Sequence, residues 1–156
     1  MINCGPTNWT LDERSGKPML NGTQKREAFR DTSYSWWWNS EYEMYAVDST
    51  TMKELKSSLQ SLSTKIVMGT WCSDSKREVP RLFKIFDAVG YGDTSKTQII
   101  CVNRNKRTQN KELLAGLDIE KVPTIIVYRD NKEIGRIVES PKESLEKDLL
   151  KIIQTK

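Results

Sequence analysis

The sequence predicts an α/β protein: a mixed central sheet flanked by helices on both faces, preceded by a polar N-terminal extension. Three observations carry this. Helical and extended apolar patterns alternate from Tyr42 onward. The early strand-helix-strand-helix-strand order demands parallel strands with right-handed crossovers, whereas a tight turn at Asp130-Asn131 demands an antiparallel pair. Composition also changes near residue 41, where an aliphatic-poor stretch ends.

Residues 1–41 hold only four of the chain's 35 Leu, Ile, Val and Phe residues, and their five basic and five acidic side chains cancel. They read as an extension, with turns at Ser15-Gly16 and Asn21-Gly22 and one or two helical turns over Lys25 to Asp31. Trp36, Trp37 and Trp38 stand in a row at its end. Such apolar area needs a partner, so the row either clamps the extension onto residues 42–156 or forms an exposed aromatic platform.

In residues 42–156, Glu43 to Val47 reads as a short strand. Asp48 or Ser49 can cap a helix whose Met52, Leu55, Leu59 and Leu62 recur at three- and four-residue spacing. Lys65 to Thr70 is a buried strand, and after Trp71-Cys72 a helix carries Val79, Leu82, Phe83, Phe86 and Val89 on one stripe, stopping near Gly90 and Gly92. Gln98 to Asn103 is a further strand and Asn110 to Leu117 a short helix. Thr124 to Tyr128 and Glu133 to Val138 form a hairpin, and a last helix from about Pro141 turns Leu145, Leu149, Ile152 and Ile153 inward.

Composition excludes several function classes. The chain has no histidine, which removes Ser-His-Asp and Cys-His nucleophile pairs and imidazole metal sites. Cys4, Cys72 and Cys101 contain no C-x-x-C pair, so neither a metal site nor a cofactor is expected. A net charge of +4 without a basic cluster argues against nucleic acid. No apolar run approaches the roughly 20 residues of a membrane-spanning helix. The opening Met-Ile-Asn-Cys-Gly-Pro has no signal core, which predicts a cytoplasmic protein, or a periplasmic or lipid-anchored one whose leader has been removed.

The chemistry-bearing segment is Trp71-Cys72-Ser73-Asp74-Ser75-Lys76, at a junction of strand end and helix start where α/β sheets gather functional groups. Trp71-Cys72 follows an apolar strand, Lys76 and Pro80 lie four and eight residues after the cysteine, and Val122-Pro123-Thr124 opens a strand downstream, with Gly135 in the strand pair beyond. These offsets resemble the thioredoxin family over residues 42–156. Two positions depart from it. Ser75 stands where the family has its second cysteine, giving a monothiol Cys-x-x-Ser variant, and Ile66 stands where many thioredoxins bury an Asp that serves the resolving thiol.

The resemblance implies a thiol-disulfide oxidoreductase acting through a single thiol. Cys72 at a helix N-terminus is placed to ionise, with Lys76 and Arg77 favouring the thiolate, Ser75 able to donate a hydrogen bond and Asp74 opposing. Attack on a protein or small-molecule disulfide would leave a mixed disulfide, which an external thiol or reductase must resolve. A cis Pro123 would leave the Val122 backbone free to align an extended substrate, and Trp71 would flank the thiol. Pro80 is read as a bend in its helix. Cys101 is read as an inert core residue, and Cys4 reaches the site only if the extension folds back. Arg104, Lys106 and Arg107 are read as a solvated basic loop. The competing function is a non-catalytic protein-binding module on the same fold; glutaredoxin-like iron-sulfur assembly fits less well, because the Cys-Gly-Phe-Ser loop is absent.

Overall fold

A computed structural model describes residues 8–91 and 95–155. A two-stranded hairpin comes first, β1 (Trp9–Asp12) paired antiparallel with β2 (Lys17–Leu20). Gly16 makes its turn at φ +72°, a conformation that side chains other than glycine's resist. The central sheet has the order β3-β5-β4-β6-β7, from β3 (Gly22–Gln24), β4 (Ser63–Met68), β5 (Thr97–Cys101), β6 (Thr124–Arg129) and β7 (Lys132–Val138). Among the described strands only β4 and β5 run parallel; the other pairs are antiparallel, so the sheet is mixed. The β6–β7 turn places Asp130 and Asn131 both at positive φ, the two-residue geometry that matches strand twist.

Among the described residues four α-helices complete the fold: α1 (Thr32–Met44), α2 (Ser49–Ser58), α3 (Ser73–Ala88) and α4 (Leu145–Ile153). Asp48 caps α2, its Oδ1 accepting from the Thr50 and Thr51 N–H groups at 3.1 and 3.2 Å. Ser144 caps α4 through the Lys147 N–H. Strand alternation sends Ile66, Met68, Ile99, Cys101, Ile125 and Val127 to one face, where all four α-helices bury their apolar stripes. On the other face Val67, Ile100, Val102 and Ile126 are covered by a 3₁₀ helix at Lys111–Leu114 and the loop through Leu117, so the expected helical cover of both faces is by α-helices on one and a single 3₁₀ turn on the other. Gly135 of β7 lies directly beneath α4, where a Cβ atom would meet the Ile152 side chain at 2.9 Å. Among the described residues no helix is long and apolar enough to cross a membrane.

Three expectations about elements are corrected. Glu43 to Val47 is not a strand: Glu43 and Met44 finish α1, and Tyr45 is its extended C-cap, its hydroxyl donating to Glu146 of α4. The sheet's edge partner for β5 is instead β3, from the polar N-terminal stretch. The helix expected over Asn110 to Leu117 is only a 3₁₀ turn, because Gly116 turns to φ +74° two residues after its end. The last helix begins at Leu145, four residues after Pro141.

The composition step at residue 41 falls inside α1. Phe29, Tyr34, Trp37 and Trp38 are buried in the main core, while Trp36, on the same helix, is 66% exposed. Phe29 stacks on Trp38 with ring centroids 4.5 Å apart, and Trp38 meets Phe83 of α3 at 5.3 Å. The Arg26 guanidinium then reaches across to Asp87 at the end of α3 with two hydrogen bonds of 2.6 and 2.7 Å.

Candidate functional site

Strand β4 delivers the chain to a four-residue bend, Gly69-Thr70-Trp71-Cys72, closed by the Cys72 N–H donating to the Gly69 carbonyl at 3.0 Å. Cys72 is the N-cap of α3 and its carbonyl accepts the first helical bond, from Lys76 N–H. Its side chain makes no capping hydrogen bond to the first turn. Pro80 is tolerated within α3, buried against the sheet. The order β3-β5-β4-β6-β7, a β4-α3-β5 crossover, a closing β6–β7 hairpin and a lone cysteine at the start of α3 decide the architecture.

The fold is thioredoxin-like. Opposite Cys72 lies the loop before β6, where the Val122–Pro123 peptide bond is cis. The half-buried Cys72 thiol donates to the Val122 carbonyl at an Sγ–O distance of 3.4 Å, so the cysteine and the proline loop, 50 residues apart, meet. Ser75 is fully buried, one turn into α3, and its hydroxyl oxygen accepts from the Gly69 N–H at 3.2 Å, bracing the bend. Asp74 is turned away along the helix onto Arg77 at 2.7 Å, and Arg77 also contacts Glu78 at 3.2 Å. Ser73 is exposed at the first helical position. Cys101 is fully buried in β5 and burial pushes its thiol pKa strongly upward, which keeps it protonated and inert. Cys4 lies outside the described residues.

Trp71 is pinned rather than loose. Its Nε1–H donates to the Val102 carbonyl at 2.8 Å, and its ring covers Gly69 so closely that a Cβ there would sit 2.4 Å from it. The Arg104 guanidinium lies 5.2 Å from the Trp71 ring centre. Arg104 in turn forms two 2.8 Å hydrogen bonds with Asp12 of β1, which is almost fully buried. The basic run read as a solvated loop is thus corrected at Arg104, which ties the N-terminal hairpin to the site.

The hairpin and α1 wall off a cavity of about 330 Å³ beside Trp71, lined by Lys17, Trp36, Trp37, Trp71, Lys76 and Arg104 among others. Lys17 and Asp12 were not candidates from sequence, Trp36 stood out only as part of an aromatic row, and Arg104 was read as solvated: the residues are drawn from segments with no shared local pattern, and the Asp12–Arg104 pair spans 92 positions. A larger cavity, of about 620 Å³, lies at the opposite end of the sheet around Lys25, Ser63, Lys96 and Tyr128 and includes neither Cys72 nor Val122. Among the described residues no group of three or more carboxylate or thiol side chains is arranged to hold a metal ion.

Hydrogen bonds from Arg104, against the opposing effect of burial and with help from Ser15, hold the Asp12 carboxyl far below the ordinary carboxylate range. A carboxyl depressed in the folded state stabilises the protein fully above its unfolded value, 3.8, and loses that contribution as pH falls through the folded value. Asp12→Asn is therefore expected to lower the Tm by a few degrees at neutral pH, with the gap to wild type shrinking below about pH 4. Thermal melts at several pH values check this; a gap that persists undiminished at pH 2 contradicts it.

No protein-family model matches the chain, and no curated protein matches it either. Solved structures do. A protein of unknown function from Pseudomonas aeruginosa aligns at a TM-score of 0.62 and 14% identity, covering 85% of this chain and 92% of that one. An HIV epitope-scaffold aligns at 0.57 and 14%, covering 84% and 82%. Trxlp from Edwardsiella tarda aligns at 0.43 and 18%, covering 69% and 94%. At these identities the first two are likenesses of fold alone.

Proposed function

We propose that the protein is a monothiol thiol-disulfide oxidoreductase with Cys72 as its nucleophile. The observation that carries this reading is the half-buried Cys72 thiol at the start of α3, 3.4 Å from the Val122 carbonyl in the loop that ends at Pro123. After the thiol loses its proton to solvent, the thiolate attacks one sulfur of a disulfide. A Cys72–substrate disulfide forms, the substrate's S–S bond breaks, and the second sulfur leaves with the electron pair and takes up a proton. An external thiolate then attacks the mixed disulfide and returns Cys72 to the thiolate.

Val122 and Pro123 align the substrate chain, Trp71 forms one wall, and Lys76 supplies positive charge. Ser75 occupies the buried position of the missing resolving thiol and supports the bend instead, while Ser73 and Asp74 shape the exposed first turn of α3.

The test is direct. Incubation with hydroxyethyl disulfide is expected to give one adduct, located by peptide mass spectrometry at Cys72 and released by excess small thiol. Failure of Cys72 to react faster than a free small thiol overturns the reading. The 59% exposure of Trp9 and 66% exposure of Trp36 favour a second reading, a protein-binding module, for which a Cys72→Ser variant that retains full cellular function is the deciding result.

A further inference from the structure

The smaller cavity is lined by Trp71 and Lys76, which flank Cys72 in the chain, but not by Cys72 itself, and it is built largely by residues that the Cys-x-x-Ser motif does not contain. Its walls come from the β1–β2 hairpin, the first turns of α1, the Thr70-Trp71 bend and Lys76 of α3. At about 330 Å³ it falls at the lower end of the range of small-molecule sites, roughly 300–1,000 Å³.

Its charge is unbalanced. Asp12 is the one carboxylate among the lining residues, and it is fully engaged by Arg104, Ser15 and the Arg14 N–H. The Asp12–Arg104 pair is neutral as a unit, which leaves Lys17 and Lys76. Among the described residues neither lysine forms an ion pair. The Lys76 ammonium lies 5.7 Å from the Trp36 ring centre, at the cavity's exposed lip. Burial first, then the like charge of Lys17, depresses the Lys76 pKa, as expected for a cation short of counter-charge, and a Cys72 thiolate acts in the opposite direction.

We propose that this cavity selects small disulfides and thiols that carry carboxylates, holding the carboxylate between Lys17 and Lys76 with the Trp36 and Trp71 rings against the carbon chain while the sulfur reaches Cys72. The proposal rests on Cys72 being the attacking thiol, and names the substrate class of that reaction. A carboxylate supplies the missing charge at two lysines on separate elements, and the enclosing hairpin and α1 suit a small molecule better than a continuous polypeptide. The same pocket would receive an acidic small thiol as the resolving reductant: its thiolate attacks the mixed disulfide, a new small-molecule disulfide leaves, and Cys72 departs as thiolate.

The experiment compares rates of Cys72 adduct formation with dithiodiglycolate, hydroxyethyl disulfide and cystamine, which are dianionic, neutral and dicationic. Each is divided by its rate with free mercaptoethanol, which removes the intrinsic reactivity of the disulfides. Dithiodiglycolate is expected to exceed the neutral probe by roughly tenfold or more, the gap narrowing at high salt. Lys17→Gln is expected to reduce that preference severalfold while leaving the normalised hydroxyethyl disulfide rate unchanged, and Lys76→Gln to reduce it further. Equal normalised rates for all three probes, with Cys72 still faster than the free thiol, overturn this inference and leave the oxidoreductase reading standing. Cys72 slower than the free thiol with every probe overturns that reading itself. A preference for anionic probes that survives in the Lys17→Gln/Lys76→Gln double variant overturns the assignment to this cavity, and so does a preference found only for acidic peptide disulfides.

Discussion

Ser75→Cys is expected to raise reduction of a protein disulfide by about a hundredfold or more when a dithiol reductant is supplied. The side chain at position 75 is fully buried one turn along α3 from Cys72, and residues three apart on a helix bring their Cβ atoms to about 5–6 Å. Disulfide geometry needs a modest further approach, which the extended N-cap conformation of Cys72 permits. A thiol held there resolves the Cys72 mixed disulfide within the molecule, where effective molarities far exceed millimolar external thiol. The Ser75 hydroxyl is lost from the Gly69 N–H, a neutral hydrogen bond of about 1 kcal/mol, so the variant should fold. Turnover of insulin with dithiothreitol, compared with wild type, reads the effect. Equal activity in the two proteins would mean that the resolving group is something other than an external thiol and that Ser75 does not mark a missing one.

The half of the site that faces the sheet was legible because its signals are local. Val79, Leu82, Phe83 and Phe86 repeat at helical spacing behind Cys72, and Lys65 to Met68 form an apolar run ending at a glycine, so strand, bend and helix follow from neighbours in sequence. Val122-Pro123 was set opposite the thiol by the family resemblance and by no local signal, and the Cys72 thiol lies 3.4 Å from the Val122 carbonyl. The other half was not legible. Residues 1–41 look core-poor when aliphatic side chains are counted, yet they hold six of the chain's 13 aromatic residues, and it is aromatic area that buries them. β3 has three residues, too few for any alternation to show. Glu43 to Val47 reads as a short apolar strand, but a strand needs an edge to pair with, and β3 already occupies the one beside β5. Arg104 looked solvated because its partners, Asp12 and Trp71, lie 92 and 33 positions away.

Trp38→Ala is expected to cost about 3–5 kcal/mol, the range for truncating a large buried aromatic side chain, against a total stability of about 5–15 kcal/mol for an ordinary domain. Trp38 sits where the N-terminal segment meets the site-bearing helix: stacked on Phe29, tilted against Trp37 at 6.0 Å, and packed on Phe83 of α3 at 5.3 Å. Removing its ring opens a cavity between α1 and α3 that the surrounding rings cannot close without leaving their own contacts. Trp36→Ala removes an equal side chain from the same helix, but from its exposed face, and is expected to change stability by no more than about 0.5 kcal/mol. Urea unfolding followed by fluorescence and circular dichroism measures both variants. The difference between neighbours separates an N-terminal segment that belongs to the core from one that merely rests on it. A Trp38→Ala cost below about 1 kcal/mol would place α1 outside the folding unit, and the wall it lends to the cavity beside Trp71 would then have no rigid support.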